Sequence, residues 1–142
     1  MSSLARFLKQ NKKERKNTTY PVSTAFTDEN GEVLLWEIRP LTSEETERIR
    51  DDCMYDEPVK GKPNQFRAKL NISKYIRKLM VASVVEPNLN SVELQNSYGV
   101  MSGEDLIFKM VDNPGEYNDF AEFIQKFNHC VPLEDKVAEA KN

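Results

Sequence analysis

Catalysis and metal binding draw on a few side-chain types, and this 142-residue chain is poor in the decisive ones. Its one histidine, His129, stands beside Cys130. Adjacent residues do not face each other on a helix, so the two do not form a nucleophile–base couple. His129 is read as a surface residue at a helix end. The second cysteine, Cys53, is far away in sequence, and neither CxxC nor Cys/His ligand spacing occurs. Two such cysteines read as free thiols in a reducing compartment. None of the five glycines falls in a GxGxxG or P-loop pattern that could cradle phosphate. The carboxylate pairs Glu44-Glu45 and Asp51-Asp52 lie in a polar helical stretch and read as solvated faces. No segment has EF-hand spacing. The expectation is a protein with no enzymatic activity, no metal and no cofactor.

The elements that would carry any surface follow from periodicity and punctuation. Ser3 can cap a short helix with Leu4, Phe7 and Leu8 on one side. The basic stretch Lys9 to Lys16 continues it as a frayed end or a linker. Tyr20, Val22, Thr24 and Phe26 alternate along a first strand, made an edge by Pro21. Asp28-Glu29-Asn30-Gly31 supplies a turn, and Leu34, Trp36 and Ile38 share one face of the returning strand. Thr42 and Glu45 form a capping box opening a mostly polar helix with Ile49 and Cys53 on its buried edge. The segment from Asp56 to Asn64 reads as a loop, and Phe66, Ala68 and Leu70 as a short third strand. Ile72, Tyr75, Ile76, Leu79 and Met80 form the clearest helical stripe, in a helix running to Val85, with Lys74, Arg77 and Lys78 opposite. Pro87 stops it. A short helix around Val92 to Asn96 ends at Gly99. Ser102 opens another carrying Leu106, Ile107, Met110 and Val111. After Pro114-Gly115 a last helix aligns Tyr117, Phe120, Ala121, Ile124 and Phe127. The fold class is α+β: an N-terminal β hairpin or small antiparallel sheet, then a mostly helical C-terminal part. Residues 1–132 read as one domain, 1–18 being its N-terminal helix and basic linker, and 133–142 as a flexible polar tail.

Composition bounds the rest. Hydrophobic residues make up 39% of the chain and charged residues 30%, with a formal net charge of -3. That is a globular balance without a global field to recruit nucleic acid. The charge is uneven. Residues 1–16 hold six bases and one acid, while residues 86–142 hold eleven acids and four bases. Such a split serves solvated surface, self-association or a charged partner. The basic stretch could touch phosphates, but it lacks interleaved aromatics and a following helix-turn-helix pattern, so nucleic acid is not expected. The longest apolar run, around Val81 to Val85, is far below the ~20 residues of a membrane span. No apolar core with a cleavage site occupies the N-terminus, so no signal peptide is expected.

One stretch goes beyond generic patterning. The chain reads Ser83-Val84-Val85-Glu86-Pro87 at the end of the strongest helix, then Glu93-Leu94-Gln95-Asn96-Ser97-Tyr98-Gly99, then Pro114-Gly115-Glu116-Tyr117 before the last helix. Together these resemble the XkdN-like family of phage tail assembly chaperones. The hairpin with Trp36 and the helix start at Leu41-Thr42 agree with that resemblance, which covers residues 1–130 and is most specific over 75–117. In physical terms the motif residues Ser83, Pro87, Leu94, Tyr98, Gly99, Pro114, Gly115 and Tyr117 are structural. Pro87 and Gly99 stop helices, and Leu89, Leu94 and Tyr98 can plug the corner between them.

The resemblance implies a protein of a phage, prophage or phage-like element that acts in the host cytoplasm and is absent from the mature virion. It would bind the tape measure protein and keep it soluble during tail assembly. The tail tube protein and a second copy of the chain are further partners to consider. The competing functions are a minor structural tail protein retained in the particle and, more remotely, a small DNA-binding regulator. For the partner contact the sequence offers Leu4, Phe7 and Leu8 as an apolar handle, with packing on the hairpin as its alternative, and Phe123, which lies off the best stripe of the last helix. The wider group of tail assembly chaperones also implies a longer product made by ribosomal frameshifting. Ala140-Lys141-Asn142 permits a slippery heptamer, with the polar tail from Glu134 as a linker.

Overall fold

The structure, a computed structural model, describes residues 3–128. The expectations for His129, Cys130, the polar tail and the slip site at Ala140 to Asn142 lie outside the described residues. From the N-terminus, two 3₁₀ turns, Leu4–Phe7 and Lys9–Asn11, precede β1 (Thr18–Tyr20) and β2 (Trp36–Ile38). Next come α1 (Ser43–Asp52), β3 (Met54–Pro58), β4 (Phe66–Leu70), α2 (Ile72–Ser83) and β5 (Val84–Glu86). Three helices complete the described residues, α3 (Val92–Ser97), α4 (Gly103–Met110) and α5 (Pro114–Phe127). The fold class is α+β, as expected.

The first sheet has the order β1-β2-β5, antiparallel throughout, with β1 as the edge that Pro21 requires. Its hairpin is interrupted. Beyond Tyr20 the chain turns inward and buries Val22 and Ser23. It rejoins its partner only at the Thr27–Val33 bridge and the Leu34 N–H bond to the Phe26 carbonyl. The turn forms where the sequence places it. The Asp28 carboxylate accepts from the Asn30 and Glu32 amides, and Gly31 takes φ +81. Because the alternation is broken, Leu34 is exposed while Trp36 and Ile38 are buried.

Several element boundaries differ from expectation. The stretch read as a loop from Asp56 begins instead as β3, which pairs with β4 in a separate two-stranded ribbon. Its sequence, with two carboxylates and a proline, hides the strand because most of the ribbon lies in solvent and needs no apolar face. Glu57 on β3 bridges to Lys69 at 2.8 Å and Arg67 at 3.5 Å on β4. The true loop is short, with Gly61 and Asn64 at positive φ. The strand from Phe66 to Leu70 therefore does not extend the N-terminal sheet. That place belongs to β5, cut from what reads as the end of the strongest helix. The helix stops at Ser83, whose hydroxyl returns to the Leu79 carbonyl and whose carbonyl accepts from the Arg39 amide. The β-branched Val84 and Val85 then continue as strand, which suits their stiff χ1. The N-terminal segment forms 3₁₀ turns without a Ser3 side-chain cap, since a helix this short has little to stabilise it alone.

The core lies where α2 meets α4, α5 and the sheet. Leu79 and Met80 of α2, Leu106, Ile107 and Met110 of α4, and Phe120, Ala121 and Ile124 of α5 are buried together with Trp36, Ile38 and Leu41. Leu89 is buried, and Leu94 and Tyr98 pack against the core, so the family stretch makes the corner read from its sequence. Gly99 takes φ +68 just past α3, where the Val100 amide bonds back to the Gln95 carbonyl. Among the described residues all five α-helices start on side-chain caps: Thr42, Asn71, Ser91, Ser102 and Asn113 each accept from a backbone amide in the first turn.

Candidate partner-binding surfaces

Among the described residues no group of His, Cys, Asp and Glu side chains is placed to hold a metal ion. Cys53 is buried as the cap that closes α1, and burial pushes its thiol up, away from the reactive thiolate. The shifted carboxylates are tied to structural partners. Glu45 is lowered to about 2, chiefly by the side-chain hydrogen bonds from Arg39. Glu116 is lowered by the amide of Thr24, then by the hydroxyls of Ser23 and Thr24. No described helix is long and apolar enough to cross a membrane. What the surface offers is contact area.

Among the described residues, exposed aromatic rings fall in three regions. The first is the N-terminal segment, where Leu4 is 73% and Phe7 83% exposed, with Leu8 less so. Leu4 and Phe7 contribute little to the core. The segment is tied to the body through Arg15, whose guanidinium donates to the Leu41 carbonyl. Leu41 also donates its amide to the Asn128 side chain, so one residue anchors both the basic segment and the end of α5. The second region is the ribbon, with Tyr55 and Phe66 exposed on opposite faces. The third is a corner on the helical side, where Phe108 of α4 stands half exposed between Arg77 of α2 and Tyr117 of α5.

Phe123, the remaining sequence candidate, is partly buried and its ring is engaged. It stacks on Tyr20 at 4.1 Å and on Phe127 at 5.7 Å between ring centres, joining α5 to the edge strand. Of the motif residues, Ser83 ends α2, Pro87 follows β5 and so does not itself stop the helix, Pro114 opens α5, and Gly115 donates its amide to the Asn113 side chain. Pro114 and Tyr117 both reach the third surface region. Sequence reasoning missed the corner because its three residues belong to three helices. The available signal was Phe108, an aromatic off the buried stripe of Leu106, Ile107 and Met110.

Comparison with known proteins decides the family. The model of the phage XkdN-like tail assembly chaperone proteins matches residues 4–141. The chain belongs to this family. Two relatives come from Bacillus subtilis (strain 168). The phage-like element PBSX protein XkdN is 24% identical over 131 residues, spanning 91% of this chain and 86% of XkdN. The protein YqbN is 23% identical over 130 residues, with the same coverage of each. The crystal structure of YqbN superposes with a TM-score of 0.74 at 15% identity, over 92% of this chain and 99% of that one, and so shares the fold. The family is one of chaperones for phage tail assembly and not an enzyme family, and its role suggests interaction with tail proteins.

Proposed function

We propose that this family member binds the tape measure protein of a phage or phage-like tail and keeps it soluble in the host cytoplasm until the tail tube forms around it. An unpackaged amphipathic helical chain exposes an apolar stripe and aggregates; a chaperone covers that stripe with apolar surface of its own. The observation that carries this reading is the bare N-terminal segment. Leu4 and Phe7 stand in water while other side chains fill the core, so in the free protein they do nothing for the fold. Its six bases against one acid over residues 1–16 add attraction to an acidic partner face, and such rim charges speed encounter more than they tighten the complex. Release at polymerisation requires a modest, partly polar interface. The protein would therefore be absent from the finished particle. Mass spectrometry of purified particles tests this: absence supports a chaperone that departs, and stoichiometric presence makes it a structural tail component instead.

A further inference from the structure

Three helices meet at the corner around Phe108. The Arg77 guanidinium lies 4.3 Å over the Phe108 ring, and its Nε donates to the Tyr117 hydroxyl at 3.2 Å. Phe108 and Tyr117 meet edge to face, 5.5 Å between centres at 77°, yet Phe108 remains 51% exposed. Toward α5 the corner opens into a groove of about 560 Å³ walled by Phe108, Val111, Pro114 and Tyr117, with Lys109 and Asp112 among its polar lining. Toward the start of α2 lies a hollow of about 380 Å³ lined by Lys74, Arg77 and Lys78 among others.

Two features set this corner apart from an ordinary exposed phenylalanine. Its arginine is already held by a ring face and a hydroxyl, so little side-chain freedom remains to be lost on binding. An aromatic pair with a fixed arginine is also the composition of interface residues that dominate binding energy. The local charge, moreover, opposes its surroundings. Residues 86–128 carry eight acids and only two bases, Lys109 and Lys126. The corner nonetheless collects Lys74, Arg77 and Lys109 against Asp112, while Lys78 is met by Glu104 at 3.3 Å, which leaves a local excess of positive charge.

We propose that this corner seats an apolar anchor side chain of an acidic amphipathic helix. The carboxylates flanking the anchor meet Lys74, Arg77 and Lys109. The inference rests on the tape measure reading only in naming the partner: the segment of that chain that docks here carries apolar residues at helical spacing with Asp or Glu beside them. The rim contacts are solvent-exposed, so binding weakens as salt rises.

The test is a titration of the full chain with two labelled helical peptides of about 20 residues, one with leucines on one face and glutamates on the other, the second with lysines in place of the glutamates. The acidic peptide should bind. Its Kd should rise about tenfold or more in Phe108→Ala and in Lys109→Glu, and amide shifts should centre on residues 77, 108, 109 and 117. Lys109→Glu alters an exposed side chain and so tests the corner even where Phe108→Ala folds poorly. Equal affinity for the two peptides, no binding, or shifts centred on residues 4–8 or on the β3–β4 ribbon would overturn the proposal. None of these outcomes bears on whether the tape measure protein itself is kept soluble, which is read in a separate experiment with the intact partner.

Discussion

Glu116, in the first turn of α5, reaches across to Thr24, 92 positions earlier, and accepts from both its amide and its hydroxyl at 2.8 and 2.9 Å. The neighbouring Ser23 hydroxyl donates to the other carboxylate oxygen at 2.8 Å. One side chain thus secures the interrupted part of the hairpin, where strand pairing is missing, to the helical half of the molecule.

The substitution Glu116→Gln should loosen that attachment. An amide side chain can still accept through one oxygen, but it loses the charge-assisted bonds. Amide hydrogen exchange at Thr24 and Ala25 should quicken relative to the parent, with Trp36 and the core of α2 little affected. Unchanged exchange at Thr24 would mean that the hairpin is held by its packing alone. The carboxyl sits below its usual range, so this stabilisation is present above the unfolded carboxyl pKa and lost as pH falls through the lowered one.

A second acid dependence belongs to Arg39 and Glu45. Their closest atoms are 2.5 Å apart, and Glu45 also accepts from the Thr42 amide in the capping box. With the Glu45 carboxyl at about 2, the pair stabilises the fold above roughly pH 4.5 and fades as pH drops toward 2. Both side chains are near one-third exposed, so screening reduces the contribution to ~1 kcal/mol. Glu45→Gln should therefore lower the melting temperature at pH 7 and make little difference at pH 2. An equal deficit at both values would assign the loss to the cap geometry and not to charge.

Leu79 and Trp36 are 1% and 2% exposed at the centre of the core. Replacing either with Ala should lower stability by about 2–5 kcal/mol, since a removed side chain leaves a cavity that the surroundings fill only in part. Chemical denaturation of both variants measures this, and midpoints equal to the parent's would contradict the packing described.

Much of this core was legible in the sequence because its signals are local. Thr42 with Glu45, and Ser102 with Asp105, announce helix starts by a spacing of three, and both caps form as read. The stripe through Leu79 and Met80 needs only helical periodicity. In the ribbon, β4 was legible from the alternation of Phe66, Ala68 and Leu70, but β3 was not, because it leaves most of its side chains in solvent and is held by backbone pairing and the Glu57 bridges, with no apolar alternation to read. β5 was hidden because Val84 and Val85 extend a helical stripe equally well; what ends the helix is the bond from the Arg39 amide, a partner 44 positions away from Ser83. The corner at Phe108 was beyond reach for a related reason. Arg77 reads as one of several basic residues on a polar face and Tyr117 as the start of a buried stripe, and only the packing of three helices brings them onto one ring.

Deleting residues 1–10 should leave the unfolding free energy nearly unchanged, within about 0.5 kcal/mol, because Leu4 and Phe7 are already in water. The same deletion should reduce co-purification with the tape measure protein. Stability lost in step with binding would show that the segment belongs to the fold and is not a handle for a partner.

The central claim is tested most directly by co-expressing the tape measure protein from the same phage or phage-like element with and without this chain, and measuring the soluble fraction after centrifugation. The account predicts that the tape measure protein is mostly insoluble alone, becomes soluble with this protein, and co-elutes with it on size exclusion. A soluble fraction that is the same in both cases, with no co-elution, would contradict it.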